Sequence, residues 1–250
     1  MTIAGARGVA DVFDQLAATY DAVWTESSIG RHQRNAVWRR IDPLFRPGDS
    51  VLDLGCGTGR DALRLMSRGV TVQGFDASAE MVRVALSKGV NARQLALEDL
   101  HSLSGLFDGA ISNFGPLNCV GDLDSVARAL GSLIRLGGHL AISLAGPFCA
   151  WETAHFLKRA KFAKAFRRAS TATYKGIPVT YPTVARLTGT FAPDFTLAGW
   201  YGIGLCVPPS YVEDLSETTV TRLAAVDHRI AHWPILRAMA DHRLLIFQRA

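Results

Sequence analysis

Residues 51–62, VLDLGCGTGRDA, carry an apolar run from Val51 to Leu54 straight into Gly55-Cys56-Gly57-Thr58-Gly59 and then into a charged, helix-forming segment. Alternating glycines let the backbone turn through conformations closed to other residues, so this stretch reads as strand, tight turn and helix. Junctions of that kind belong to sheets whose strands alternate with helices, and the following hundred residues keep the rhythm. A helix is expected over 60–68, a strand over 70–75, a helix capped by Ser78 and ended by Gly89, a weaker strand over 92–97 and a firmer one over 108–114. Leu123, Val126, Ala127, Leu130, Leu133 and Ile134 form an i, i+3, i+4 stripe, Gly137-Gly138 closes it, and 139–145 reads as the fifth strand.

Around this core the chain divides further. Residues 1–46 read as mostly helical, with Val37, Trp38, Ile41 and Leu44 at helical spacing before Pro47-Gly48. Residues 47–146 form the core, and 147–181 interrupt its rhythm with a helix over 150–169 and a short hairpin around Gly176. Residues 182–250 resume with a helix near 183–191, a strand over 195–205, a helical segment over 210–240 and a strand over 242–248. The last two strands are close enough to pair antiparallel at one edge. The expected class is α/β: a Rossmann-like, doubly wound, mostly parallel seven-stranded sheet with a reversed last strand. Amino-terminal helices and the block after the fifth strand should overhang the carboxyl ends of the strands, where such sheets bind ligands.

The glycine turn narrows the ligand. A dinucleotide fingerprint needs a small residue at the sixth position counted from Gly55, and Arg60 stands there; a P-loop needs Gly-Lys-Ser/Thr, which is absent. Asp53-Leu54-Gly55-Cys56-Gly57-Thr58-Gly59 instead resembles the first motif of the class I S-adenosylmethionine-dependent methyltransferases. The resemblance continues through Gly74-Phe75-Asp76-Ala77-Ser78, Phe107-Asp108-Gly109-Ala110-Ile111-Ser112-Asn113 and Leu136-Gly137-Gly138-His139-Leu140, covering about residues 48–145.

That resemblance implies S-adenosylmethionine as cofactor. It places Gly55, Cys56 and Gly57 against the methionyl part, Asp53 by the α-ammonium group, and Asp76 on the ribose hydroxyls, the last being otherwise a turn or capping carboxylate. Ala77 and Met81 pack on adenine; Leu97 and Glu98 meet its edge, although Ala96 stands where the family usually has an acid. Tyr20 covers the cofactor, and Arg34, with Arg31 as second choice, clamps its carboxylate. Ser112, Asn113 and Phe114 fall where the family meets the methyl group, and the stretch lacks the Asn-Pro-Pro-Phe/Tyr signature of nucleobase and glutamine-amide methylation.

A sulfonium methyl is already electrophilic, so a base is needed only for an acceptor that keeps its proton. His32 and His155 are the candidate bases, each equally readable as a structural histidine, and Asn113 is a candidate contact for either reactant. Trp151, Phe114 and Tyr211, with Phe156 and Trp200, are candidates for an apolar acceptor wall, or alternatively core. The expectation is an enzyme acting on a natural-product or lipid-like small molecule. The alternatives are a methyltransferase of protein or RNA, and a regulator that binds S-adenosylmethionine without transfer.

Composition bounds the partners. A net charge of +5 is modest, no RNA- or DNA-reading motif accompanies it, and much of it sits in KRAKFAKAFRR, 158–168, which reads as an amphipathic helix with a solvated face. No apolar run reaches the ~18–20 residues of a bilayer span. The four scattered cysteines suggest reduced thiols and no metal site, and the start MTIAGARGVADVFDQL lacks an apolar signal core. A cytoplasmic monomer or homodimer, binding no nucleic acid and not stably inserted in a membrane, is expected, with contact of the basic helix with a membrane surface or an anionic substrate as the alternative to a solvated face.

Overall fold

The structure, a computed structural model, describes residues 3–169, 172–211 and 215–250. Helix α1 (Ile3–Tyr20) runs into a π-helical turn at Asp21–Thr25 and then into α2 (Ser28–Ile41). The alternating core follows as β1 (Ser50–Leu54), α3 (Arg60–Met66), β2 (Thr71–Asp76), α4 (Ala79–Ser87), β3 (Asn91–Gln94), β4 (Phe107–Ser112), α5 (Leu123–Leu133) and β5 (Ile134–Ala145). The overhanging block contains α6 (Ala150–Leu157), α7 (Phe162–Ala165) and the hairpin β6 (Ala172–Tyr174) and β7 (Ile177–Val179). Helix α8 (Val184–Phe191), β8 (Phe195–Ile203), α9 (Glu217–Ile230) and β9 (His242–Arg249) complete the order.

Seven strands form one sheet in the order β3-β2-β1-β4-β5-β9-β8. β3, β2, β1, β4 and β5 pair in parallel, and β9 enters antiparallel between β5 and β8. Alternate side chains feed two cores, as a sheet covered on both faces requires. Leu52, Leu54, Ala110, Leu140 and Ile142 pack with Val126 and Leu130 of α5 and Phe191 of α8. Val51, Val72, Ile111, Ala141 and Leu244 pack with Val37 and Ile41 of α2, Leu65 of α3 and Val82 and Ala85 of α4. Ser78 caps α4, its Oγ accepting from Met81 N at 3.1 Å.

The single helix expected over 150–169 is corrected. The chain turns back at Ala160, which takes φ +54°, and two short helices replace one. Glu152, 1% exposed, is the cause: Arg167 and Arg168 both reach back to its carboxylate, at 2.5 and 3.0 Å, which a straight helix fifteen residues on could not do. The apolar positions expected on one face, Phe156, Ala160, Ala163 and Phe166, therefore form no packing face: the last three are exposed, and Ala165 is buried instead.

Among the described residues no helix is long and apolar enough to cross a membrane, and no group of three His, Cys, Asp or Glu could hold a metal ion. All four cysteines are free.

Candidate active site

The carboxyl ends of β1, β2 and β4 open onto a cavity of about 500 Å³, a size ordinary for small-ligand sites. Gly55, Gly57, Asp76, Ala77, Met81, Leu97, Glu98 and Asn113 line one end; Phe114, Tyr181, Tyr211, Asp241 and His242 line the other. Helix α1 and the π turn roof it with Phe13, Leu16, Tyr20 and Trp24. The roof is tied down by charge. Asp14 accepts from Ser78 Oγ at 2.5 Å and from Glu80 N at 3.0 Å, at the start of α4. Asp21 accepts from Thr58 Oγ1 at 2.7 Å and pairs with Lys88.

The three glycines of the turn all take positive φ, for different reasons. A Cβ on Gly55 would run into Pro116 at 2.3 Å, and one on Gly59 into Val90 at 2.8 Å. One on Gly57 would meet nothing closer than Met81 Sδ at 4.0 Å. Gly57 is thus where bare backbone faces the cavity. Its N–H donates to Asp76 Oδ2 at 2.8 Å while Ser78 N donates to Oδ1 at 2.9 Å, which aims the carboxylate. Burial raises the Asp76 carboxyl above its ordinary range, and these two N–H donors oppose the rise.

Under the turn lies a charged cluster. Asp53 is 1% exposed, and its Oδ2 has no hydrogen-bond partner. Burial, then the Asp61 carboxylate, pushes its pKa well up, with Arg34 opposing. Asp61 accepts from Arg34 Nη1 at 2.5 Å and from Trp38 Nε1 at 2.6 Å, both buried or nearly so. Asn113, 7% exposed, has neither its amide nitrogen nor its oxygen bonded. Buried polar groups are seldom left unpaired, so the unbonded amide of Asn113, which lines the cavity with the open Gly57, fits an amino-acid-like ligand, whereas the wanting acceptor of Asp53 lies beneath the turn and outside the cavity lining. Tyr20 stands over them, its hydroxyl pushed up to about 12 by burial, with Arg34 acting the other way. These residues therefore fit S-adenosylmethionine. When bound, that molecule supplies an electrophilic methyl group on sulfur.

Several expected site residues stand elsewhere. His32 does not line the cavity: the buried face of α2 is Gln33, Arg34, Val37 and Ile41, which turns His32 toward α9, where Nε2 lies 3.2 Å from Thr221 Oγ1. His155 does not line it either; Nδ1 lies 3.0 Å from Arg159 Nη1, one turn along the surface. Trp151 packs outside it and donates from Nε1 to Cys206 O at 3.1 Å. Arg34 is engaged by Asp61 and flanked by Trp24 and Phe114 rather than open to the cavity, and Arg31 pairs with Glu217 at the surface. Ser112 donates to Leu54 O at 2.8 Å, a bond between strands. The Cys56 side chain points at Gly74 in the core, where burial raises its thiol pKa.

Sequence reasoning missed Asp241 and His242. His242 opens β9, and β9 runs antiparallel, so His242 pairs with Ala145 at the carboxyl end of β5. A strand entering reversed must bring its first residue to the ligand face. The adjacent acid and histidine at that position were the available signal. His242 Nδ1 lies 3.1 Å from Asp241 Oδ2, and Arg168 Nη2 donates to Asp241 Oδ1 at 2.6 Å. The His242 ring meets the edge of Phe114 at 5.4 Å, and Phe114 meets Trp24 at 4.9 Å. Phe114 takes φ +61°, a strained conformation for a bulky residue, directly after Asn113. Behind this wall Glu152 also accepts from Tyr211 Oη at 2.8 Å.

Residues 45–176, just over half of the chain, match a family described as "Methyltransferase domain". The chain is 34% identical over 160 residues to the 2-phytyl-1,4-naphtoquinone methyltransferase of Synechococcus elongatus, covering 57% of this chain and 65% of that one. It is 35% identical over 146 residues to the ubiquinone biosynthesis O-methyltransferase of Chromobacterium violaceum, covering 53% and 60%. The match thus spans less than two thirds of these relatives' length. Among solved structures, the complex of DhpI with SAH superposes with a TM-score of 0.61 at 15% identity, over 100% of this chain and 99% of that one. The [4+2]-cyclase SpnF superposes with a TM-score of 0.59 at 17% identity, over 97% and 96%. At such identities the likeness is one of fold, and fold alone does not fix the chemistry.

Proposed function

The chain belongs to the methyltransferase-domain family, and on that premise we propose that it transfers the methyl group of S-adenosylmethionine to a small-molecule acceptor. The observation that carries this reading is the continuity of the cavity. One space joins the end built from Gly57, Asp76, Met81 and Asn113 to an end walled by Phe114, Tyr181, Tyr211 and His242. In it Asp76 takes the ribose hydroxyls, Ala77, Met81 and Leu97 hold the adenine, and Asn113 receives the amino-acid part, with the Asp53 carboxyl acting on its ammonium group from beneath the turn. Phe114 and Trp24 exclude water from the transferring methyl and keep the acceptor in line.

An apolar or aromatic metabolite suits these walls, and the quinone-directed names of the two relatives above agree with that class. The roof of α1 over the cavity favours a small acceptor over a folded macromolecule. We further propose that it acts in the cytoplasm, as monomer or homodimer; among the described residues no helix is long and apolar enough to cross a membrane.

Calorimetry with S-adenosylmethionine and S-adenosylhomocysteine tests the reading. Both should bind, and Asp76→Ala should weaken both about 10- to 100-fold, the worth of hydrogen bonds to a charged acceptor. Failure of the unaltered protein to bind either compound would refute the proposal. A labelled-methyl screen over phenolic, quinol and amine metabolites then separates transfer from binding alone.

A further inference from the structure

We propose that His242 is the general base of this site, that Asp241 and Arg168 position it, and that the acceptor is accordingly a hydroxyl compound, methylated on oxygen. The inference rests on the methyl-transfer reading and deepens it. Its starting point is an arrangement that packing alone does not require. Asp241, 4% exposed, stands between Arg168, on Oδ1 at 2.6 Å, and the His242 ring, whose Nδ1 lies 3.1 Å from Oδ2 outside hydrogen-bond geometry. Arg168 is itself fixed from behind, by Glu152 at 3.0 and 3.1 Å and by Asp241 O at 2.9 Å. Burial would raise the Asp241 carboxyl, but His242 and Arg168 outweigh it and hold the group well below the carboxylate range.

The field of an ionised carboxylate 3.1 Å from Nδ1 favours the imidazole proton on Nδ1, which leaves the lone pair on Nε2, at the opposite side of the ring. His242 lines the cavity and touches Phe114, the residue after Asn113, so the histidine stands at the end where methyl and acceptor meet. The other charged groups around the ring are Arg243, next along β9 and directed to Ala238 O, and Arg34, screened from it by Phe114. Neither neutralises Nε2. A hydroxyl acceptor needs such a base, whereas a neutral amine attacks with its own lone pair and loses its proton afterwards.

The step balances. Nε2 takes the hydroxyl proton, and the O–H bonding pair stays on oxygen and forms the new bond to the methyl carbon. The carbon–sulfur pair leaves with sulfur, and the sulfonium becomes a neutral thioether. The imidazolium returns its proton to water.

Two measurements test this with the full chain. In nitrogen-15 spectra of the histidine-labelled protein holding S-adenosylhomocysteine, His242 should carry its proton on Nδ1; a proton on Nε2 at neutral pH would overturn the proposal. In the labelled-methyl assay over phenols, catechols, hydroxynaphthalenes and the matching anilines, transfer should favour the hydroxyl series. H242Q should lower kcat there by 10²- to 10⁴-fold, leave S-adenosylhomocysteine affinity within about twofold, and erase the acid limb of the pH–rate profile. D241N should retain cofactor binding while moving that limb, an effect that loss of packing alone would not produce. Unchanged turnover in H242Q, or transfer to anilines alone, would remove the base and leave methyl transfer standing. No transfer to any compound of either series by the unaltered protein with cofactor bound would remove both.

Discussion

Gly57 shows how much one backbone position carries in this protein. It takes φ +51° and faces the cavity, so Gly57→Ala has no wall to strike but a conformation to resist. The expected result is a loss of about 1–2 kcal/mol in urea unfolding and weaker S-adenosylhomocysteine binding in the same sample. Gly59→Ala, whose Cβ would strike Val90 in the core, should destabilise the fold with less effect on affinity per unit of stability lost. Asn113 makes the opposite case. Its buried, unpaired amide opposes folding in the free protein, so Asn113→Leu should raise the free protein's stability by about 1–3 kcal/mol and erase the further gain on adding cofactor. At this scale the sequence was readable where spacing ties a residue to a strand end, as it does Asp76. It was not readable at Asp61, which looks like ordinary first-turn charge of a helix until Arg34 and Trp38 arrive from a distant element. His32 and His155 failed for the same reason: a histidine's helix can be read locally, but the way its face turns is set by what packs there.

The elements were legible in proportion to their local periodicity. The strands and helices from 50 to 145 stand within a few residues of expectation, and Ser78 caps α4 as the sequence predicts. The block over 150–169 broke the rule because a buried Glu152 commands it, and burial of a lone acid has no periodic trace. Glu152 receives Arg167, Arg168 and Tyr211, so Glu152→Gln leaves two arginines facing a neutral group. Breaking a buried pair of this kind should cost about 3–5 kcal/mol, checked by denaturant titration. The pH sense follows. Burial raises the Glu152 carboxyl but Arg167 and Arg168 prevail, and Asp241 is lowered likewise. Groups lowered on folding contribute stability above the ordinary carboxylate pKa, near ~4, and lose it as pH falls through their folded values. Acid unfolding of the unaltered protein should therefore be steep below that point and shallower in E152Q.

For the whole molecule, ligand and fold are linked through the roof. Helix α1 touches the body chiefly through α4 and the hairpin, tied by Asp14 to the start of α4, while Asp21 of the following π turn holds Thr58 in the glycine turn. Cofactor at a hundred times its Kd should stabilise the chain by about 2.7 kcal/mol, a rise of roughly 5–10 °C in Tm for this size, and at the same concentration the gain should fall to about 0.4–1.4 kcal/mol in D76A. Fold class and strand reversal were visible in the sequence because they rest on short-range pattern, as was the place of Gly57, Asp76, Ala77 and Met81 at the cavity. The acceptor end was not, since it is assembled from α1, the overhanging block and the first residue of β9. That last strand has a consequence for synthesis. β5 and β8 share no hydrogen bonds; each pairs with β9, and only β9 joins them. A nascent chain can close the parallel half of its sheet early, but β8 has no seat until residues 242–249 have left the ribosome. A message cut short before His242 would thus yield two bare apolar strand edges, a substrate for aggregation and quality control rather than a weakened enzyme.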